Sequence, residues 1–287
     1  TPKWGRFLGL YMGDGSLSGK NRNYTLSIVC DKKDSDVIQE VKGLISELFI
    51  TPSSREVGSK KGGIEVRVSN IYLKELFIEL GLVYQNGSRG FKRLVNVPEY
   101  IFQSSRKVVK EFLKGLFEAD GFAAYKTPRI VLFSKHEGFL RDIQLLLLGF
   151  GITSKIHVAD KKAGDGHMYI GRELRLKKAE SLKFSKEIGF LSERKKRRTS
   201  GYLGENLPIV LEDEILSIFP KTVEPVFNLT TKEHYYSANG IWTHNSAEEA
   251  FITSGSPFFD AERLNEMLAK APQPVEFGTI MPDGYFL

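Results

Sequence analysis

Two aspartates, Asp14 and Asp120, occupy the same place in two matching segments. These are Phe7-Leu8-Gly9-Leu10-Tyr11-Met12-Gly13-Asp14-Gly15 and Leu113-Lys114-Gly115-Leu116-Phe117-Glu118-Ala119-Asp120-Gly121. The aspartates are 106 positions apart (120 minus 14), so one unit has been written twice. Each segment predicts a short apolar helix that stops at its Asp-Gly glycine in a left-handed cap. Gly9 and Gly13 on one helix, and Gly115 and Ala119 on the other, lie four apart and let the two backbones meet. Both carboxylates then stand together at helix ends. A helix C-terminus already carries partial negative charge, so two carboxylates there require a cation. Oxygen ligands suit Mg²⁺ or Mn²⁺. Metal ions flanked by two aspartates suit in-line phosphodiester hydrolysis, where they activate water and stabilise the leaving oxygen.

A second chemistry lies near the other end. Residues 226–246 read Val-Phe-Asn-Leu-Thr-Thr-Lys-Glu-His-Tyr-Tyr-Ser-Ala-Asn-Gly-Ile-Trp-Thr-His-Asn-Ser. This run resembles the C-terminal splicing motifs of inteins, and the resemblance implies the following roles. The Asn245 side-chain amide can attack its own backbone carbonyl, forming a succinimide and breaking the Asn245–Ser246 bond. His244 would polarise that carbonyl or protonate the leaving nitrogen, with His234 assisting, because imidazole titrates near neutrality. Ser246 supplies a hydroxyl that can receive an upstream chain by transesterification.

The elements that must position Asp14 and Asp120 also repeat. The first motif is followed by the apolar run Leu26 to Cys30, a helical pattern Val37 to Phe49, the alternating strand Ile64 to Val68, and a helix Leu73 to Leu80 ending at Gly81. The second is followed by Ile130 to Phe133, a helical Phe139 to Phe150, a strand-like His167 to Ile170, and a helical Ala179 to Ile188 ending at Gly189. Alternation and glycine-rich turns predict an α+β fold with antiparallel sheets. Arg106 to Glu118 is an amphipathic approach to the second motif, and Pro98 marks a linker between the halves. Gly58 to Gly63 is expected to be a basic hairpin tip carrying Lys60 and Lys61, with Asp160 to Gly166 as its counterpart.

Composition sets bounds. The 287-residue chain is 41% hydrophobic, enough for a sizeable core, and no apolar run is long enough to span a membrane. Its one cysteine, Cys30, lies in a core-strand pattern and fits a reducing cytosol. Residues 246–287 hold two of the 41 basic and seven of the 35 acidic residues, which leaves 39 against 28 in the body. A cationic body suggests a polyanionic partner. The densest stretch, 172–198, has eleven Lys or Arg against four Glu, as expected for phosphate contact.

Residues 4 to 203 resemble the LAGLIDADG, or dodecapeptide, homing endonucleases. The resemblance implies two pseudo-symmetric halves, about 1–100 and 101–203, whose motif helices form the interface. It implies saddle-shaped antiparallel sheets astride double-stranded DNA, in a monomer, and Mg²⁺ or Mn²⁺ held by Asp14 and Asp120. Met12 stands where an Asp is common. It also implies a basic residue beside each acid. In the second half that is Lys195 or Lys196. In the first half the usual slot holds Val95, and the nearest candidates are Lys92 and Arg93, with Lys92 the choice. DNA contacts are expected from Lys60, Lys61, Arg67, Arg172, Arg175 and Arg197.

Residues 204–245 resemble the C-terminal β part of an intein's Hint-type splicing domain, through His234, Ala238-Asn239-Gly240-Ile241 and His244-Asn245-Ser246. An N-terminal nucleophile and a Thr-x-x-His block are missing from the chain, so splicing is expected only in trans with an N-terminal intein fragment. Residues 246–287 would be the C-extein, and they resemble a segment of phage terminase large subunits. That implies the cytoplasm of a phage-infected or prophage-bearing bacterium. Two alternatives stay open: a cleavage-inactive module of the same fold that grips nucleic acid, and a fragment of a DNA-packaging terminase, although no Walker A loop is present.

Overall fold

The computed structural model describes residues 1–20, 23–49, 54–58, 62–86, 90–125, 127–162, 168–202, 235–238 and 241–244. The chain divides into two compact units, Thr1–Val210 and Leu211–Leu287.

The first unit is built on two buried helices, α1 (Pro2–Asp14) and α5 (Arg106–Ala119). A Cβ placed on Gly9 would lie 2.0 Å from the Phe112 carbonyl oxygen and 2.6 Å from the Leu116 nitrogen. One placed on Gly115 would lie 2.3 Å from the Arg6 carbonyl oxygen and 2.9 Å from the Leu10 nitrogen. Phe112 and Leu116 are the motif equivalents of Arg6 and Leu10. The contact is therefore reciprocal, which is the signature of a local twofold. A Cβ placed on Gly5 would lie 2.5 Å from the Val108 carbonyl oxygen, and one on Gly13 would lie 2.3 Å from Ala119 Cβ. Along α1 the contacts advance as they advance along α5. The helices are thus parallel, and both C-termini lie at one end.

Each motif helix feeds a sheet of identical topology. In the first half β1 (Gly15–Lys20), β2 (Asn23–Cys30), β3 (Arg55–Gly58) and β4 (Ile64–Ser69) pair antiparallel in the order β1-β2-β4-β3. In the second half β7 (Gly121–Ala123), β8 (Ile130–Ser134), β9 (Lys155–Lys162) and β10 (Met168–Leu176) pair in the order β7-β8-β10-β9. Helices α2 (Ser35–Phe49) and α3 (Leu73–Glu79) serve the first half, α6 (Glu137–Leu148) and α7 (Lys178–Glu187) the second. Leu26, Ile28, Val66 and Val68 are buried on one sheet, and Ile130, Leu132, Leu174 and Leu176 on the other. Strand side chains alternate, so the intervening residues occupy the opposite, open faces. Cys30 is buried in β2 with its thiol pushed up to about 12, chiefly by burial.

Three further elements follow from no repeat. The hairpin β5 (Val83–Gln85) and β6 (Phe91–Arg93) belongs to the first half, and the short helix α4 (Glu99–Phe102) follows the Pro98 linker and packs on α5. Helix α8 (Glu193–Ser200) is formed by the basic run 194–198.

The expected left-handed glycine caps are a correction. Gly15 ends α1 with φ −89° and ψ 154°, in extended backbone that opens β1. Gly15 and Gly121 are glycines because the chain doubles back on the preceding turn. Cβ atoms there would lie 2.5 Å from the Tyr11 carbonyl oxygen and 2.4 Å from that of Phe117.

In the second unit β11 (Tyr235–Ala238) and β12 (Ile241–His244) form an antiparallel hairpin with Tyr235 opposite His244.

Candidate active site

Asp14 is the last residue of α1, and Asp120 follows the last residue of α5. The Asp120 backbone nitrogen lies 3.5 Å from where a Cβ on Gly13 would sit. The parallel packing thus brings the two acids to one end of the helix pair. Burial pushes both carboxyls above the ordinary range, and cationic Lys195 and Arg93 pull each back in part. Asp120 reaches about 6, with Asp14 the second cause after burial. Asp120 is open to a groove of about 460 Å³ that it shares with Phe122, Arg129, Val131 and Arg175. The groove is concave, so protein still surrounds the carboxyl.

A cation serves each helix end. Arg93 Nη1 donates to the carbonyls of Tyr11 (2.8 Å), Gly13 (2.7 Å) and Gly15 (3.2 Å). Lys195 Nζ donates to those of Phe117 (3.1 Å), Gly121 (2.8 Å) and Glu118. Carbonyls left over at a helix terminus are thereby satisfied, and the negative end of each dipole is offset. In the first half the residue is Arg93 rather than the expected Lys92. The two are neighbours in a strand, so they project to opposite faces, and Lys92 is exposed. In the second half it is Lys195, 6% exposed, and not Lys196. Helical phase turns Lys196 outward to pair with Glu193 at 2.7 Å.

Glu118 is a buried acid that sequence reasoning missed. It is 5% exposed and accepts from Leu191 N (2.7 Å), Ser192 N (3.0 Å) and Ser192 Oγ (2.8 Å). Ser192 caps α8 by accepting from Lys195 N at 3.2 Å. Asp36 accepts from Glu193 N at 2.7 Å, and Arg194 Nε donates to Asp34 at 2.8 Å. Helix α8 is therefore pinned at its N-terminus by acids from both halves, and this holds Lys195 inward. Burial lowers the Lys195 pKa while Glu118 opposes that shift. The available signal was a charged residue at the motif position where the first repeat has the apolar Met12. Gly5 was missed too, although 5, 9 and 13 continue the four-residue spacing.

The structure separates the expected DNA contacts. Arg67 and Arg175 lie on the open sheet faces, two residues from Glu65 and Glu173 respectively. Arg172 does not, and this is a correction. It shares the face of Leu174 and Leu176, where its Nε donates to Glu137 at 2.8 Å. Arg197 is exposed on α8. Lys60, Lys61, His234, Asn245 and Ser246 lie outside the described residues, as do the side chain of His244 and the stretch 246–287.

Among the described residues no group of three or more His, Cys, Asp or Glu side chains converges on a metal position. The Asp14–Asp120 pair fits a hard divalent cation that takes one or two carboxylates and completes its shell with water and substrate phosphate, as Mg²⁺ does. The Asp14 charge adds to burial in raising the proton affinity of Asp120, as a like charge beside it at such a site would.

A family model described as LAGLIDADG-like domain matches residues 2–81 and 107–189, one copy over each half. The chain is 25% identical over 277 residues to a DNA polymerase of Thermococcus sp. (strain GE8), which covers 90% of this chain and 15% of the polymerase. It is 33% identical over 154 residues to a probable translation initiation factor IF-2 of Thermococcus kodakarensis, covering 54% of this chain and 12% of that protein. The chain therefore spans only a small part of these relatives. The homing endonuclease I-DmoI in complex with DNA and Ca superposes with a TM-score of 0.50 at 19% identity, over 68% of this chain and 96% of its own.

Proposed function

Because the chain belongs to the family of LAGLIDADG-like domains, we propose that it is a site-specific, divalent-metal-dependent endonuclease that cuts both strands of a long DNA site. The observation that carries this reading is the parallel helix pair ending in Asp14 and Asp120, with Arg93 and Lys195 each bound to one helix end. Both acids come from one chain, which supports a monomer. Asp14 and Asp120 would hold Mg²⁺ or Mn²⁺, and the bound ion would supply Lewis-acid charge to the scissile phosphate and lower the pKa of water. Arg93 and Lys195 hold the ends of the two motif helices, and with them the acids, in register. The open sheet faces, with Arg67 and Arg175, track the duplex, joined by Arg197 and by Lys60 and Lys61.

The endonuclease is carried by an intein, in this reading. A polymerase and an initiation factor are unrelated in activity, yet each matches this chain over a small share of its length, as an insert shared between hosts would. The run from His234 to Ser246 has the residue types for Asn245 cyclisation and transfer to Ser246. The 246–287 segment is then host sequence of terminase type, and the setting is a bacterial cytoplasm.

The test is linearisation of a plasmid carrying the host gene without its insert. Mg²⁺ or Mn²⁺ should support cutting and Ca²⁺ only binding. An Asp120→Asn chain that still cuts at a near wild-type rate would exclude the site.

A further inference from the structure

The two open sheet faces carry the same three charges in the same places. In the first half Arg67 Nε and Nη2 donate to Glu65 Oε2 at 2.8 and 2.6 Å. In the second half Arg175 donates to Glu173 Oε2, from Nε at 2.9 Å and from Nη2 at 2.7 Å. Both pairs span two residues on the strand beside the edge, and both Arg side chains are accessible, at 37% and 45%. Register adds a third member: Arg67 faces Arg55 on β3, and Arg175 faces Lys155 on β9. Like charges directly opposite each other destabilise a sheet. The fold carries this arrangement twice, at equivalent positions, where a ligand that takes up positive charge would offset the cost.

The geometry points to Arg67 and Arg175 as guanine readers. Each is oriented by its glutamate, one in each half of a quasi-palindromic DNA site. This inference rests on the reading of the chain as a DNA endonuclease. The glutamate grips the Nε–Nη2 side of the guanidinium and fixes its plane. The Nη1–Nη2 end is left to form the bidentate pair with O6 and N7 of guanine, the commonest specific contact in the major groove. The same carboxylate repels phosphate, which bears its own charge, but not the neutral edge of a base. A lone arginine would go to the backbone, whereas one held beside glutamate is directed to the base. Arg55 and Lys155, on the edge strands and without such a glutamate directly opposite, suit phosphate. The reciprocal helix contact makes the halves twofold-related, so the two guanines should lie on opposite strands, equidistant from the centre of the site.

The experiment is binding selection by the full chain from a pool of random duplex DNA in Ca²⁺, repeated with R67K, R175K, E65Q and E173Q. Lysine keeps the charge and loses the fork, and melting curves check that each variant folds. Wild type should enrich a site with two inverted G·C positions. R67K should lose one preference and R175K the other, each by roughly 5- to 150-fold. E65Q and E173Q should weaken guanine preference at their own positions. They should also steepen the log–log salt dependence of binding by about 0.9 for each arginine released to a phosphate. A wild-type motif that R67K and R175K leave unchanged would overturn the assignment while DNA recognition stands. If no chain, wild type included, enriches any sequence, the endonuclease reading itself falls.

Discussion

Arg93 and Lys195 do the same work from unrelated elements. One stands on a strand of a hairpin and the other on a helix, yet each donates from a single nitrogen to three carbonyls at the end of a motif helix. The halves are thus symmetric in their sheets and asymmetric in how their acid-bearing helices are capped. The asymmetry matters chemically. The Arg93 guanidinium is a rigid planar fork of donors, whereas the Lys195 ammonium is a compact donor whose pKa burial lowers.

Replacing Lys195 with methionine should leave the α5 carbonyls without their donor and Glu118 without its nearby cation, 3.8 Å away. Breaking such a buried arrangement costs roughly 3–5 kcal/mol. Cleavage should fall by about 10²- to 10³-fold. Nicked plasmid should accumulate over linear product, because the other half keeps Arg93. Equal loss on both strands would show that the two centres do not act separately.

The raised carboxyl of Asp120 gives a stability signature. Because the fold raises this pKa to about 6, its contribution is fully present below the unfolded value of about 4 and is lost as pH rises through 6. Without divalent metal, D120N should therefore melt above wild type at pH 8, with the gap closing between pH 6 and 4. Mn²⁺ should raise the wild-type melting temperature more at pH 8 than at pH 5, since ligands must be ionised, and should not raise that of D120N. Calorimetry across that range reads both effects.

Gly115→Leu places a side chain against backbone atoms of Arg6 and Leu10, which cannot swing aside. Overpacking of this kind costs about 3 kcal/mol or more, hence a melting point lower by roughly 6–12 °C. Double-strand cleavage should go with it. Gly43, inside α2 where an added Cβ meets nothing within 4 Å, is the control, and Gly43→Ala should leave cleavage unchanged and hold or slightly raise the melting point. Matching melting curves for G115L and wild type would remove the close-packing argument.

Glu118→Ala removes the acceptor for three donors at the start of α8 and should cost about 3–5 kcal/mol. Glu118→Gln keeps an acceptor oxygen and should recover part of that loss. Hydrogen exchange should locate the change in α8, with faster exchange across Glu193–Ser200 in E118A than in E118Q. Uniform acceleration over the whole first unit would mean that Glu118 is only a general core residue.

The splicing chemistry proposed for residues 226–246 separates by nucleophile. Mixed with a matching N-terminal intein fragment, the chain should transfer residues 246–287 to the upstream extein. Asn245→Ala should stop release of residues 1–245, because alanine has no amide to cyclise. Ser246→Ala should block ligation and still allow cleavage after Asn245. Intact mass spectrometry distinguishes the products, and ligation by the Ser246→Ala chain would refute the role of Ser246.

Local periodicity determined the parts of this protein that were legible beforehand. The doubled motif, the small residues four apart and the paired aspartates are all properties of neighbouring residues. So are the repeated segments behind them, which overlap β2, β4, β8 and β10 and the helices α2, α3, α6 and α7. By contrast β1, β3, β7 and β9 were not legible, and β9 runs to Lys162, into the expected turn Asp160 to Gly166. Tertiary structure decided which side chains reach those aspartates. Arg93 donates to a carbonyl 82 positions away and Lys195 to one 78 away. Their neighbours Lys92 and Lys196 carry the same charge but the opposite strand face or helical phase. Arg172 and Arg175 are parted the same way, since three positions along a strand reverse the face. Composition cannot distinguish such neighbours. Only the packing of strand and helix against the motif pair, which sets face and phase, does so.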